Sequence, residues 1–137
     1  MARQIAKAGW TVLAGARNAE LGQKAVATLQ AEGLDVQLVY IDMDTHDTAQ
    51  TVAETISSQF SKLDLLINNG AIADMTDGPP SKVGLEVAEK VMKTNFLGTL
   101  AVTQAMLPLL QAAGKAQMLN VPSELGSVSL HNDPNWK

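Results

Sequence analysis

Three times along its 137 residues, this chain runs from strong helix formers into a glycine and then into an aliphatic or β-branched stretch. Ala6-Lys7-Ala8-Gly9 precedes Trp10-Thr-Val-Leu-Ala14. Leu29-Gln-Ala-Glu-Gly33 precedes Val36-Gln-Leu-Val-Tyr-Ile41, and Leu110-Gln-Ala-Ala-Gly-Lys115 precedes Met118-Leu-Asn-Val121. Glycine just past a helix supplies the left-handed residue that ends it and reverses the chain. Three helix-to-strand joints of this kind predict alternating helices and strands, and therefore a parallel sheet covered by helices. The order reads as a partial helix followed by strand, helix, strand, helix, strand, helix, strand and loop. Residues 1–137 form one α/β unit without repeats, linkers or low-complexity segments.

The elements between the joints have their own signals. Asn18 is placed to cap a helix over residues 18–32, with Leu21, Ala25 and Leu29 on one face. Asp44 or Thr45 is expected to cap the next helix, whose apolar stripe is Ala49, Val52, Ala53, Ile56 and Phe60. Leu63-Asp-Leu-Leu-Ile67 reads as a short buried strand, and residues 68–84 as a loop rich in Gly, Pro and Asp. One long helix is expected over residues 85–112, loosened near its end by Pro108. Its Met and Leu stripe is a core face or a subunit interface. Residues 122–137 read as loop.

Composition narrows the function classes. The net charge of −4 comes from 14 acids and 10 bases with no basic stripe, which argues against a nucleic-acid partner. Cysteine is absent, so there is neither a disulfide framework nor a thiolate metal site. No apolar run reaches the ~18 residues of a membrane span, and the mixed opening residues are unlike a signal peptide. A cytoplasmic protein without a membrane partner is the expectation. His46 and His131 have no ligand or base spacing around them and read as surface residues.

Four segments carry further information: Val12-Leu-Ala-Gly-Ala-Arg17, Ile41-Asp42-Met43-Asp44, Leu63-Asp-Leu-Leu-Ile-Asn68-Asn69-Gly70-Ala71, and Lys93-Thr94-Asn95-Phe-Leu-Gly-Thr99 with Leu119-Asn-Val-Pro122-Ser123. Taken singly, each has a bland reading as a solvated arginine, a helix cap, turn residues or a loop serine. Taken together and in this order, they resemble the short-chain dehydrogenase/reductase family over essentially the whole chain. The resemblance implies a doubly wound, Rossmann-like parallel sheet with helices on both faces. It also implies hydride transfer between a nicotinamide cofactor and a small carbonyl or alcohol substrate.

Roles then follow residue by residue. In such folds an acid at the end of the second strand bonds the adenosine 2′-hydroxyl, whereas an arginine accommodates a 2′-phosphate. Arg17 stands there, so NADP is expected over NAD. Asp42 and the Met43 N–H match the adenine contacts. Asn69, Gly70 and Ala71 match the turn that lines the cofactor, although the family order is Asn-Asn-Ala-Gly and the last two residues are exchanged here. Asn68 is expected to brace neighbouring strands. Thr94 falls with the cofactor-binding set, Asn95 with the residue that helps hold a proton-relay water, and Ser123 with the serine that hydrogen-bonds the substrate carbonyl. Pro122 departs from the Ser or Gly usual before that serine, and proline here can re-aim the loop.

Two family motifs have no counterpart: the glycine-rich pyrophosphate turn before the first helix, and the catalytic Tyr-x-x-x-Lys. The only tyrosine, Tyr40, lies in a strand. In the doubly wound order the first strand is central, and its absence leaves a gap of roughly 10 Å between the flanking strands. The expectation is therefore a fragment truncated at both ends and inactive by itself. Either the natural polypeptide is longer, or the flanking strands close on each other, or the fragment does not fold stably. The alternatives are a non-catalytic nucleotide-binding or dimerisation module, homo-oligomeric through residues 85–112, and, more weakly, another Rossmann-like fold such as a methyltransferase.

Overall fold

The computed structural model describes residues 1–74, 76, 78, 79, 81–123, 126 and 129. His131 and most of the expected C-terminal loop fall outside the described residues. The elements run α1 (Ala2–Lys7), β1 (Val12–Ala16), α2 (Ala19–Ala31), β2 (Val36–Tyr40), α3 (Asp47–Phe60), β3 (Leu65–Asn68) and α4 (Leu85–Met92). A π-helical segment (Lys93–Gly98), α5 (Thr99–Ala112) and β4 (Gln117–Asn120) follow. All three glycine joints take the left-handed conformation, with φ of +92° at Gly9, +76° at Gly33 and +70° at Gly114.

The strands form two separate two-stranded parallel sheets. β1 pairs with β2, from Val12 opposite Val36 to Ala16 opposite Tyr40. β3 pairs with β4, from Leu65 opposite Gln117 to Asn68 opposite Asn120. Of the outcomes anticipated for the missing strand, closure of the flanking strands does not occur, because β1 and β3 share no ladder.

What joins the sheets is a helical layer. Ala49, Val52, Ala53 and Ile56 of α3 interlock with Val102, Met106 and Leu109 of α5, and Leu13, Val39, Ile41, Leu63 and Leu66 pack against this core. Both sheets thus press one face on the same pair of helices. A smaller core lies on the other face of the β1–β2 sheet, where Ala6, Val26 and Val36 meet Val12, Ala14, Leu29, Leu34 and Leu38. Successive residues of β1 and β2 alternate between the two cores, as the two-residue period of a strand requires.

Four local expectations are corrected. In α2 the buried positions are Gly22 and Val26, while Leu21 is 63% exposed. A Cβ at Gly22 would stand 2.6 Å from Leu38 Cδ1, so the helix seats on the sheet through its glycine. The α3 helix starts at Asp47 after His46, and neither Asp44 nor Thr45 caps it by side chain. Phe60, at the end of its stripe, is exposed. Finally, the long helix is interrupted by the π segment, while Pro108 sits inside α5 without ending it.

Candidate functional site

The residues singled out above gather at the carboxyl ends of the strands, where open α/β sheets bind ligands. They fall into two groups. Arg17 follows β1, and Asp42 and Met43 follow β2. Asn69, Gly70 and Ala71 follow β3, and Ser123 follows β4.

Arg17 is exposed and has no salt-bridge partner among the described residues. Beside it, Asn18 caps α2 as expected, its side-chain oxygen accepting from the Leu21 N–H at 2.9 Å. The loop after β2 is held by its own hydrogen bonds. Asp42 Oδ1 accepts from the Asp44 N–H (3.0 Å), the Asp42 N–H donates to Thr48 Oγ1 (3.0 Å), and Thr48 Oγ1 donates to the Thr45 carbonyl oxygen (2.7 Å). The Met43 N–H meets no acceptor among the described residues.

Asn68 braces its surroundings as anticipated: its Nδ2 donates to Asn120 Oδ1 on β4 (2.8 Å) and to Thr103 Oγ1 on α5 (3.1 Å). The β3–β4 ladder continues one residue further, where the Val121 N–H donates to the Asn68 carbonyl oxygen at 3.0 Å. Ser123 stands two residues beyond that bond, exposed, and its carbonyl oxygen accepts from the Gly126 N–H at 3.0 Å.

The π segment ties the two groups together. Asn95 clamps the backbone of Ile72, accepting from its N–H (2.8 Å) and donating to its carbonyl oxygen (2.9 Å). Its amide thereby positions the segment after Ala71. The Asn95 carbonyl oxygen accepts from Thr99 Oγ1 at 2.8 Å. Thr94 is 4% exposed, and its hydroxyl donates to Asp44 Oδ1. Thr94 accordingly braces the loop that carries Asp42 and Met43 rather than opening toward a ligand.

Beside α5 and β4 lies an open cavity of about 220 Å³ lined by Asn95, Phe96, Thr99, Leu100, Thr103, Met118 and Asn120. On the loop before α4, Asp74 accepts from Lys90 Nζ (2.8 Å) and from the Thr76 hydroxyl (2.6 Å) and N–H (3.0 Å). These bonds, Lys90 first, hold its carboxyl well below the ordinary carboxylate range. No group of three or more metal-ligating side chains occurs among the described residues.

Sequence reasoning missed the Thr94–Asp44 bond and the packing of Gly98 against Met43. A Cβ at Gly98 would lie 2.5 Å from the Met43 carbonyl oxygen. A glycine inside a helical pattern is a signal of such close backbone approach.

The sequence matches the short chain dehydrogenase family profile over residues 1–135. The chain belongs to that family. Among curated proteins it is 36% identical to carbonyl reductase [NADPH] 1 of Mus musculus over 122 residues, covering 88% of this chain and 42% of that one. The (+)-neomenthol dehydrogenase of Arabidopsis thaliana is 30% identical, with 92% and 49% covered. The chain thus spans between two fifths and one half of these relatives' length. Among solved structures, a short-chain dehydrogenase of Shigella flexneri complexed with NADP superposes with a TM-score of 0.84 at 27% identity, over 98% of this chain and 56% of that one. The menthone neomenthol reductase of Mentha piperita gives 0.80 at 25%, over 91% and 56%. The fold is therefore the Rossmann-like one, here represented by two of its sheet pairs. No described helix is long and apolar enough to cross a membrane.

Proposed function

We propose that this chain is part of an NADP-preferring short-chain oxidoreductase that acts on a small carbonyl or alcohol compound in the cytoplasm. The observation that carries this reading is the arrangement at the carboxyl ends of β1 and β2. Arg17 carries a guanidinium unpaired among the described residues, no acid ends β1, and the Met43 N–H is unpaired beside them. An arginine at this place suits a 2′-phosphate, whereas NAD recognition uses a carboxylate. The named cofactor of the mouse carbonyl reductase and the NADP held by the Shigella structure support the same choice.

In this reading Arg17 holds the 2′-phosphate, Asp42 and the Met43 N–H hold the adenine, and Asn69, Gly70 and Ala71 lie along the cofactor. Thr94 acts through Asp44, and Asn95 acts through Ile72. Ser123 would donate to the substrate oxygen and polarise the carbonyl. The bound nicotinamide would supply or accept the hydride. The chain itself holds no Tyr-x-x-x-Lys pair, since four residues after Tyr40 stands Asp44. Proton transfer needs a positioned acid or base, so we expect this chain to bind cofactor without turnover.

Titrating the 137-residue chain with NADPH and NADH by nicotinamide fluorescence tests the cofactor choice. Tighter NADPH binding that is lost in Arg17→Ala is expected, and equal affinities for both cofactors would overturn it. Incubation with NADPH and a panel of small carbonyl compounds tests inactivity; steady consumption of NADPH would refute it.

A second reading, a non-catalytic module that pairs with a copy of itself, draws on the exposed side chains of Met92, Phe96, Leu100 and Leu107 along one run of helix. Contiguous exposed apolar surface of this kind marks interaction sites. Size-exclusion chromatography separates the two: a discrete soluble dimer favours the module, and aggregate favours the fragment.

A further inference from the structure

Met43 lies where three segments meet, and two glycines make room for it. A Cβ placed on Gly70 would stand 2.8 Å from Met43 Sδ. A Cβ on Gly98 would stand 2.5 Å from the Met43 carbonyl oxygen and 2.6 Å from Met43 Cβ. The two absences differ in kind. At Gly98 the obstacle is backbone and the first side-chain carbon. At Gly70 it is the far part of a flexible thioether, a group suited to filling irregular gaps. Gly70 is not among the residues with left-handed φ, so what it needs is space and not conformational freedom.

This accounts for the exchanged order in Asn68-Asn69-Gly70-Ala71. The order Asn-Asn-Ala-Gly would put a methyl group at position 70, into the volume that Met43 Sδ fills. We propose that Met43 and Gly70 are a matched pair that positions the loop after β2 against the turn after β3. Met43 is thereby a positioning residue for cofactor binding. Gly98, with the Thr94–Asp44 bond one helical turn earlier, holds the same loop through its backbone. The two glycines therefore differ in what relieves their substitution: shortening residue 43 makes room at position 70 and leaves position 98 as crowded as before.

The proposal rests on the NADP reading for its functional readout, and the test keeps the two apart. Wild type, Gly70→Ala, Met43→Ala, Gly98→Ala and both double variants with Met43→Ala are titrated with NADPH well below their melting temperatures. Each is also melted without cofactor. Displacing the far end of Met43 from its rotamer predicts NADPH binding about threefold weaker in Gly70→Ala. Gly70→Ala/Met43→Ala should return to within about twofold of Met43→Ala alone, the tolerance expected of uncoupled sites. Gly98→Ala should stay weakened in its double variant, because the carbonyl oxygen and Cβ of residue 43 remain. Wild-type affinity in Gly70→Ala, or a double variant weaker than Met43→Ala by the same factor that separates Gly70→Ala from wild type, would overturn the pairing. If wild type binds no NADPH, the cofactor reading fails and the melting cycle decides: non-additive shifts for 43 with 70 support the pair, and additive shifts overturn it.

Discussion

The two sheets of this chain are built from the same joints but end in different environments. The β1–β2 sheet is covered on both faces, by α1 and α2 on one and by α3 with α5 on the other, and Val36 is 1% exposed. The β3–β4 sheet presses only Leu66 into the larger core. Leu65, Ile67 and Leu119 belong to neither core, and every residue of β4 is exposed. A parallel sheet is normally buried on both faces. Arg17, Asp42 and Met43 thus stand at the end of the sheet that is covered on both faces, and Ser123 at the end of the one that is not. On the proposed function, binding of the cofactor's adenosine end and polarisation of the substrate would rest on supports of unequal burial.

The largest expected effect breaks the comparison by striking both halves together. Met106 is 2% exposed in the core that both sheets share. Met106→Ala should cost about 2–5 kcal/mol, read by urea denaturation, and amide protection should fall in β2 and β3 alike. A smaller effect sharpens the comparison. Gly22→Val would force side-chain carbons onto Leu38 and Ala16, costing about 1–3 kcal/mol by overpacking. Hydrogen exchange should then quicken in β1 and β2 and stay unchanged in β3 and β4; an equal change in both sheets would mean that they unfold as one.

The smallest effect belongs to the other half. Asp74 titrates below its usual range because of Lys90 and Thr76. A carboxyl with a depressed folded value stabilises above its unfolded value, about 3.9, and loses that contribution as pH falls through the folded one. Lys90→Met should therefore raise the Asp74 titration toward the ordinary range. It should lower stability slightly above pH 4, with the difference from wild type vanishing in strong acid. A carbon-detected NMR titration of the Asp74 carboxyl measures the shift directly.

Much of this was legible in the sequence, and what was legible was local. Gly9, Gly33 and Gly114 announce their joints because one residue's conformation decides each turn. Asn18 announces its cap because donor and acceptor lie three residues apart. The family resemblance located the strand ends. The failures are all non-local. Leu21 drew the buried face of α2 to the wrong side because a hydrophobic pattern gives no weight to Gly22, whose merit is its lack of a side chain. Asp44 looked like a cap, but α3 starts only after His46 and the Asp44 carboxylate accepts from Thr94, fifty residues on. Asn95 stood out in the sequence through the family resemblance, but that its amide holds Ile72 depends on a loop placed from elsewhere.

The π segment also fixes how this helix can change in length. An i→i+5 turn holds one residue more than an α turn, and each residue advances an α-helix by about 100°. Lys93–Gly98 therefore acts as a phase shift: within it Thr94 and Asn95 face the loops, and downstream Val102, Met106 and Leu109 face α3. Removing a single residue here would restore a regular α-helix and swing the downstream stripe away from its partner by about a quarter turn. A deletion of that size is harmless in many surface loops. At this point it would separate the site from the core that carries it.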